Sequence, residues 1–293
     1  FVTLLLLVPL FLASCAHVQK TPPLAFDVVD TGPVPPDVPL IQPWRTVPLD
    51  PEYGGGWVVA GDLDGDGVVD IVSAQNHNVE DTHYTSAAAA QRLDSSVMWR
   101  WGDPKTGRKN LHHDVALQIH DWDGDGRKEV VLLADGCLVE LDGATGQERR
   151  RLSIPQDASD CLTFCDLSGV GRPTDFLVKT RYTALWAYDR TGKLLWQSEL
   201  PGGYRTAHQA RPFDLDGDGR DEIMAGYSLL NHKGGLIWTF TSQKTNLEKG
   251  HLDCARIVRQ GSSPTSTRMV LTCCGANDIA MVDVNGKTIW EIT

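Results

Sequence analysis

The sequence predicts an all-β fold, a propeller of four-stranded blades, on three observations. A turn rich in Asp and Gly recurs at blade-sized intervals along the chain. A second turn, in which Trp follows Gly by four residues, keeps step with the first. Between the turns the apolar runs are short, bounded by Gly, Asn and Asp, and carry no helical period.

The chain opens with an export signal. Leu4 to Leu12 is almost unbroken apolar sequence, too short to span a membrane, and ends in Leu12-Ala13-Ser14-Cys15. That tetrapeptide resembles a bacterial lipobox, which would place a diacylglycerol on the Cys15 thiol; the other reading is an ordinary signal peptide with a cysteine near its cleavage site. Either reading puts the mature chain outside the cytoplasm, and the lipobox makes it a lipoprotein that touches the membrane through its lipid alone. Residues 16–51 hold nine prolines and no sustained periodicity, so they read as an extended tether. Residues 52–293 are left for the propeller. The chain begins at Phe1 without an initiator Met and stops three residues after Trp290. It therefore reads as about five blades cut from a ring of seven or eight.

Hydrophobic residues make up 41% of the 293 and charged residues 22%, the balance of a packed soluble domain. A formal charge of −11 argues against a nucleic-acid partner, which calls for a basic face. Nothing in the pattern asks for an oligomer, and a monomer is expected.

The acidity has a local source. Asp62-Leu-Asp64-Gly-Asp66-Gly-Val-Val-Asp70, Asp121-Trp-Asp123-Gly-Asp125-Gly-Arg-Lys-Glu129 and Asp214-Leu-Asp216-Gly-Asp218-Gly-Arg-Asp-Glu222 are copies of one unit. Calcium takes six to eight oxygens, and Asp at positions 1, 3 and 5 with Gly at 4 and 6 lets a tight loop wrap carboxylates around it. The ninth position supplies a further carboxylate in all three copies, and an apolar strand follows where an EF-hand would have a helix. A fourth copy from Asp166 carries Val170 at a ligand position and keeps only the turn. These loops resemble the calcium-binding turns of integrin-like FG-GAP and VCBS repeats, where calcium staples the blade.

The second turn appears as Asp189-Arg-Thr-Gly192 before Trp196, Asn231-His-Lys-Gly234 before Trp238, and Asp283-Val-Asn-Gly286 before Trp290. It predicts outer-strand hairpins near Gly192, Gly234 and Gly286, with others near Ser95 and Gly146.

Chemistry is expected where the blades' inner strands converge. His113 and His208 precede their acidic loops, and His251 begins the inner strand of the fifth repeat. Lys179-Thr-Arg181-Tyr182, Tyr204-Arg205 and Arg211 add cations and phenols nearby.

The order His112-His113-Asp114-Val115, Lys179-Thr-Arg181-Tyr182, His208 and Gly250-His251-Leu-Asp253 resembles propeller polysaccharide lyases of the rhamnogalacturonan and ulvan lyase type, over roughly Trp57 to Thr293. The resemblance implies an acidic polysaccharide cleaved beside a uronic acid by β-elimination, with His113 and Tyr182 moving protons. Arg205 or Arg211 would neutralise the uronate, and His208 would complete the site. A tyrosine serves as a base where neighbouring cations favour its anion, and Arg181 is adjacent. The alternative is a non-catalytic propeller that binds glycan or protein at the cell surface.

Six cysteines remain beyond Cys15: Cys137, Cys161, Cys165, Cys254, Cys273 and Cys274. In an exported chain they allow three disulfides. His251, Cys254 and Cys273 could instead hold a structural zinc, a reading that the ulvan-type resemblance favours. Cys273 and Cys274, adjacent on one strand, are expected to face opposite ways.

Overall fold

The computed structural model describes residues 42–79, 82–107, 116–259 and 264–293. The residues read as an export signal, most of those read as a tether, and His113 lie outside the described residues. The folded unit runs from Val47 to Thr293 and contains five four-stranded antiparallel sheets, each a meander in chain order.

The first sheet is β1 (Trp57–Gly61), β2 (Asp70–Val79), β3 (Thr82–Gln91) and β4 (Val97–Gly102). The second is β5 (Leu117–His120), β6 (Glu129–Ala134), β7 (Cys137–Asp142) and β8 (Glu148–Ser153). The third is β9 (Cys161–Cys165), β10 (Asp175–Lys179), β11 (Ala184–Tyr188) and β12 (Leu194–Glu199). The fourth is β13 (Thr206–Phe213), β14 (Glu222–Gly226), β15 (Ser228–Leu230) and β16 (Leu236–Thr239). The fifth is β17 (His251–Arg259), β18 (Arg268–Cys274), β19 (Asp278–Asp283) and β20 (Thr288–Ile292). Each acidic turn joins a sheet's first strand to its second. Near the start of the folded unit the buried Asp50 accepts the Glu52 and Tyr53 amides and pairs with Arg100 at 2.8 Å.

The sheets stack face to face in sequence order. In β6, Val130 and Leu132 pack toward the first sheet on Val72, Ala74, Ala88 and Ala90, while Val131 and Leu133 pack toward the third on Phe176 and Val178. Alternate residues of one strand thus serve two cores, which is why β6, β10 and β14 are buried along their whole length. Leu177 meets Ile223 and Ala225 between the third and fourth sheets, and Met224 meets Met269 and Leu271 between the fourth and fifth. Fourth strands alternate between half-buried and exposed residues, as edge strands do. First strands lie side by side, β1 with β5, β5 with β9, β9 with β13, and β13 with β17. This arrangement is propeller-like.

The Gly and Trp signal proves to be a link between sheets. Trp99, Trp196 and Trp238 donate their indole N–H to the Gly143, His232 and Val284 carbonyls, each in the outer hairpin of the following sheet. The hairpin glycines sit on those rings. A Cβ on Gly146, at φ +70, would come 2.6 Å from the Trp99 ring, so both the backbone conformation and the contact require glycine. In the second sheet Arg150 takes the tryptophan's place, donating to the Arg190 carbonyl at 2.8 Å with its guanidinium 4.1 Å from the Trp122 ring.

Candidate functional site

The acidic turns fold as one motif. The first carboxylate folds back on its own loop: Asp62 accepts the Gly65 and Gly67 amides at 2.7 and 3.0 Å, and Asp121 and Asp214 do the same in theirs. The ninth residue turns inward, where Asp70, Glu129 and Glu222 accept the amides of Leu63, Trp122 and Leu215. Among the described residues, carboxylate oxygens converge within 4.8 Å in three groups: Asp62, Asp64 and Asp66; Asp121, Asp123 and Glu129; Asp214, Asp216 and Asp218. In the second loop Asp125 leaves the group to grip Arg127, so Glu129 stands in for it.

These oxygen-only donors fit a hard cation, and the buried ninth acid is the test of fit. Glu222 is 3% exposed. Burial, and then the charges of Asp216, Asp218 and Asp214, push it up to about 7. Burial likewise raises Glu129 and Asp70. The loops differ in how far arginines relieve them. Arg92 meets Asp64 at 2.6 Å and Arg149 meets Glu129 at 2.8 Å, whereas no described arginine pairs with the Asp214 group. At the fourth copy Asp166 folds back in the same way on the Gly169, Val170 and Gly171 amides, and Val170 stands where the other loops carry their third Asp.

A second constellation surrounds Tyr182, in the turn between β10 and β11. The Tyr182 carbonyl accepts the Thr206 amide at 2.8 Å, which ties this turn to the start of β13. Arg181 and Arg205 stand 5.2 and 5.4 Å from the Tyr182 ring centre. The His251 ring lies 4.8 Å from it and the His208 ring 5.9 Å, and the two imidazoles meet edge to face at 4.5 Å. Burial holds His251 below the usual histidine range, helped by His208, Arg205 and Arg181 against the charge of Asp253. Two guanidiniums, two imidazoles and a phenol thus share one spot, drawn from three sheets.

The two arginines proposed for the uronate take different places around His208. Arg205 is at Tyr182, whereas Arg211 lines a cavity of about 490 Å³ between the first strands, with Gln118, His120 and Arg256, and His208 and Asp253 line that cavity too. A shift of register between Thr206 and Arg211 in the pairing of β13 with β14 accompanies this divergence.

Lys179 also departs from expectation. It is not offered to a ligand but is buried, its ammonium 2.6 Å from Asp160, with both side chains 1% exposed. The other Asp160 oxygen lies 3.0 Å from Nδ1 of His83, a fully buried residue carried on the long β2–β3 hairpin. His83 and Asp160 escaped sequence reasoning, since they are 77 residues apart and flanked by polar residues that read as loop. Lys179→Met is expected to destabilise the fold by about 3 to 5 kcal/mol, because it strands a buried carboxylate, and urea denaturation measures this.

The expected disulfides are not formed. All six thiols are free. Buried in strands, Cys161 and Cys165 have raised pKa values, and burial pushes Cys273 up to about 12. Cys273 belongs to the core with Met269 and Leu271, a bulge sets Cys254 out of step with it, and His251, Cys254 and Cys273 are not among the groups of donor atoms that converge within 4.8 Å in the described residues. The residues that do converge with His251 are His208 and Asp253, with one donor atom from each within 4.8 Å of the others. Cys273 is buried and Cys274 exposed, the opposite facing expected of neighbours on a strand.

No protein-family model matches the chain. It is 28% identical to rhamnogalacturonan exolyase YesX and 27% identical to rhamnogalacturonan endolyase YesW, both of Bacillus subtilis, over 75% and 73% of this chain and 46% of each relative. These sequence relatives are rhamnogalacturonan lyases. The chain spans about half the length of the curated relatives it matches. Its fold is similar to a rhamnogalacturonan lyase PL11 of Bacillus licheniformis, with a TM-score of 0.59 at 21% identity over 85% of this chain and 53% of that one. It is equally similar to the V. cholerae biofilm matrix protein Bap1, with a TM-score of 0.58 at 19% identity over 85% of this chain and 41% of that one. A fold shared by lyases and a matrix protein does not choose between them, and function has to be argued from the site.

Proposed function

We propose that this chain is the propeller of an exported polysaccharide lyase that cleaves a uronate-containing glycan by β-elimination. The observation that carries the reading is the cluster of Arg181, Arg205, His208 and His251 around Tyr182. In β-elimination a proton leaves C5 of the uronate, its electron pair forms the C4–C5 double bond, and the C4–O bond breaks as the leaving oxygen takes a proton. The carboxylate beside C5 must be neutralised for that proton to be acidic, and Arg205 is placed for the task, with Arg181 on the same phenol. Tyr182 and His113 exchange the protons.

The five sheets are read as blades of a larger ring of seven or eight, stapled by calcium in the loops starting at Asp62, Asp121 and Asp214. Zinc, if the protein carries it, would be held by His208, His251 and Asp253, a donor set suited to that ion. Cys15 is read as the lipid anchor, and Cys15→Ser is expected to move the exported protein from the membrane to the soluble fraction in cell fractionation.

Incubation of the full-length protein with rhamnogalacturonan, ulvan and related polymers tests the function, read by the ultraviolet absorbance of the unsaturated uronate. Glycan binding without that absorbance would mark a non-catalytic binding propeller instead.

A further inference from the structure

The long first-sheet hairpin delivers His83 to the third sheet with its amide and both ring nitrogens engaged. The His83 amide donates to the Ser159 hydroxyl at 2.8 Å. Its imidazole bridges two groups, with Nδ1 at 3.0 Å from Asp160 Oδ1 and Nε2 at 3.3 Å from Arg181 Nη1. A guanidinium only donates hydrogen bonds, so the His83 Nε2 that faces it is the acceptor. The proton then sits on Nδ1 and is donated to the Asp160 carboxylate, which only accepts. Lys179 completes the arrangement, its ammonium donating both to Asp160 at 2.6 Å and to the Arg181 carbonyl at 2.7 Å. Arg181 is thereby held by its backbone through Lys179 and by its guanidinium through His83. That guanidinium stands 5.2 Å from the Tyr182 ring centre.

We infer that His83, oriented by Asp160, is a positioning residue that fixes the Arg181 guanidinium over Tyr182. Being fully buried, His83 acts through Arg181 and does not touch a polymer. The inference deepens the lyase reading and rests on it for its catalytic consequence, while the His83 to Arg181 bond itself is independent of it. A misplaced catalytic group costs up to about a hundredfold in rate, which sets the scale of the effect.

Two substitutions separate positioning from simple burial. His83→Asn keeps an amide N–H toward Asp160 and loses the acceptor for Arg181, whereas His83→Gln places its carbonyl oxygen near the lost Nε2. In the full-length protein with calcium, His83→Asn is expected to lower kcat/KM about ten- to a hundredfold, and His83→Gln to restore most of it. Adding His83→Asn to Arg181→Ala is expected to cost nothing more, since both remove one interaction. Nitrogen-15 NMR of the parent reads the bond without turnover: His83 is expected as the Nδ1–H tautomer, with its Nε2 resonance shifting in Arg181→Ala. An Nε2–H tautomer, an unmoved Nε2 resonance, or losses that add in the double variant would overturn the inference. A parent that turns over no polymer would overturn the lyase reading, and the NMR result would still decide whether His83 holds Arg181.

Discussion

Tyr182→Phe is expected to lower turnover of a uronate polymer by roughly a hundredfold or more, the usual scale for losing one acid–base group. The substitution removes one oxygen and leaves the ring that packs between Arg181, Arg205, His208 and His251. Its melting temperature with calcium should match the parent's, so a loss of rate would report chemistry and not folding. His113→Ala is expected to cost a similar factor if the two residues share the proton transfers. His232→Ala is the control: that residue lies in an outer hairpin and offers Trp196 its backbone carbonyl, which the substitution retains. Parental turnover in Tyr182→Phe would remove the tyrosine from the mechanism. Substrate binding that survives the substitution while turnover is lost would place the hydroxyl's contribution in the transition state.

Much of this architecture was legible because it is repeated and local. The acidic turns announce themselves within nine residues, and the Gly to Trp spacing marks the outer hairpins that form around Gly192, Gly234 and Gly286. What the spacing could not reveal is the direction of Trp196 and Trp238, which, like Trp99, reach across to the next sheet. A ring of His113, His208 and His251 with Tyr182 nearby was expected; His113 lies outside the described residues, and the geometry brings Tyr182, His208 and His251 within ring contact. Arg205 and Arg211 could not be told apart, because the register shift in β13 has no local sequence signature. Lys179 looked like one more cation on the face, and only its packing against Asp160, 19 residues away, shows it neutralising a buried charge. His83 is the extreme case: its partners come from another sheet, and a polar hairpin tip carries no periodic signal.

Removal of calcium is expected to lower the melting temperature by roughly 20 °C, and to do so more severely at pH 8 than at pH 5. A site that binds only the native state stabilises it by about 2.7 kcal/mol at a hundredfold excess over Kd, so three independent loops supply about 8. For a domain of this size each kcal/mol is worth roughly 2 to 4 °C. The pH dependence follows from Glu222. Its folded pKa stands at about 7 against an ordinary 4.5, so in the stripped protein the native state holds the proton more tightly than the unfolded chain. Stability from that proton is fully present below 4.5 and is lost as pH rises through about 7. Scanning calorimetry of protein dialysed free of divalent ions, at both pH values with and without added calcium, measures each term. Glu222→Gln sharpens the test because it keeps an oxygen for the Leu215 amide while deleting the charge. In the stripped protein at pH 8 it should raise the melting temperature, since it relieves repulsion by Asp214, Asp216 and Asp218. In excess calcium it should lower the melting temperature, because a ligand charge is gone. This reversal of sign is what a cation site requires. A solvated acidic turn that needs no cation would give the same sign under both conditions, and an unchanged midpoint on stripping the parent would rule out the staple altogether.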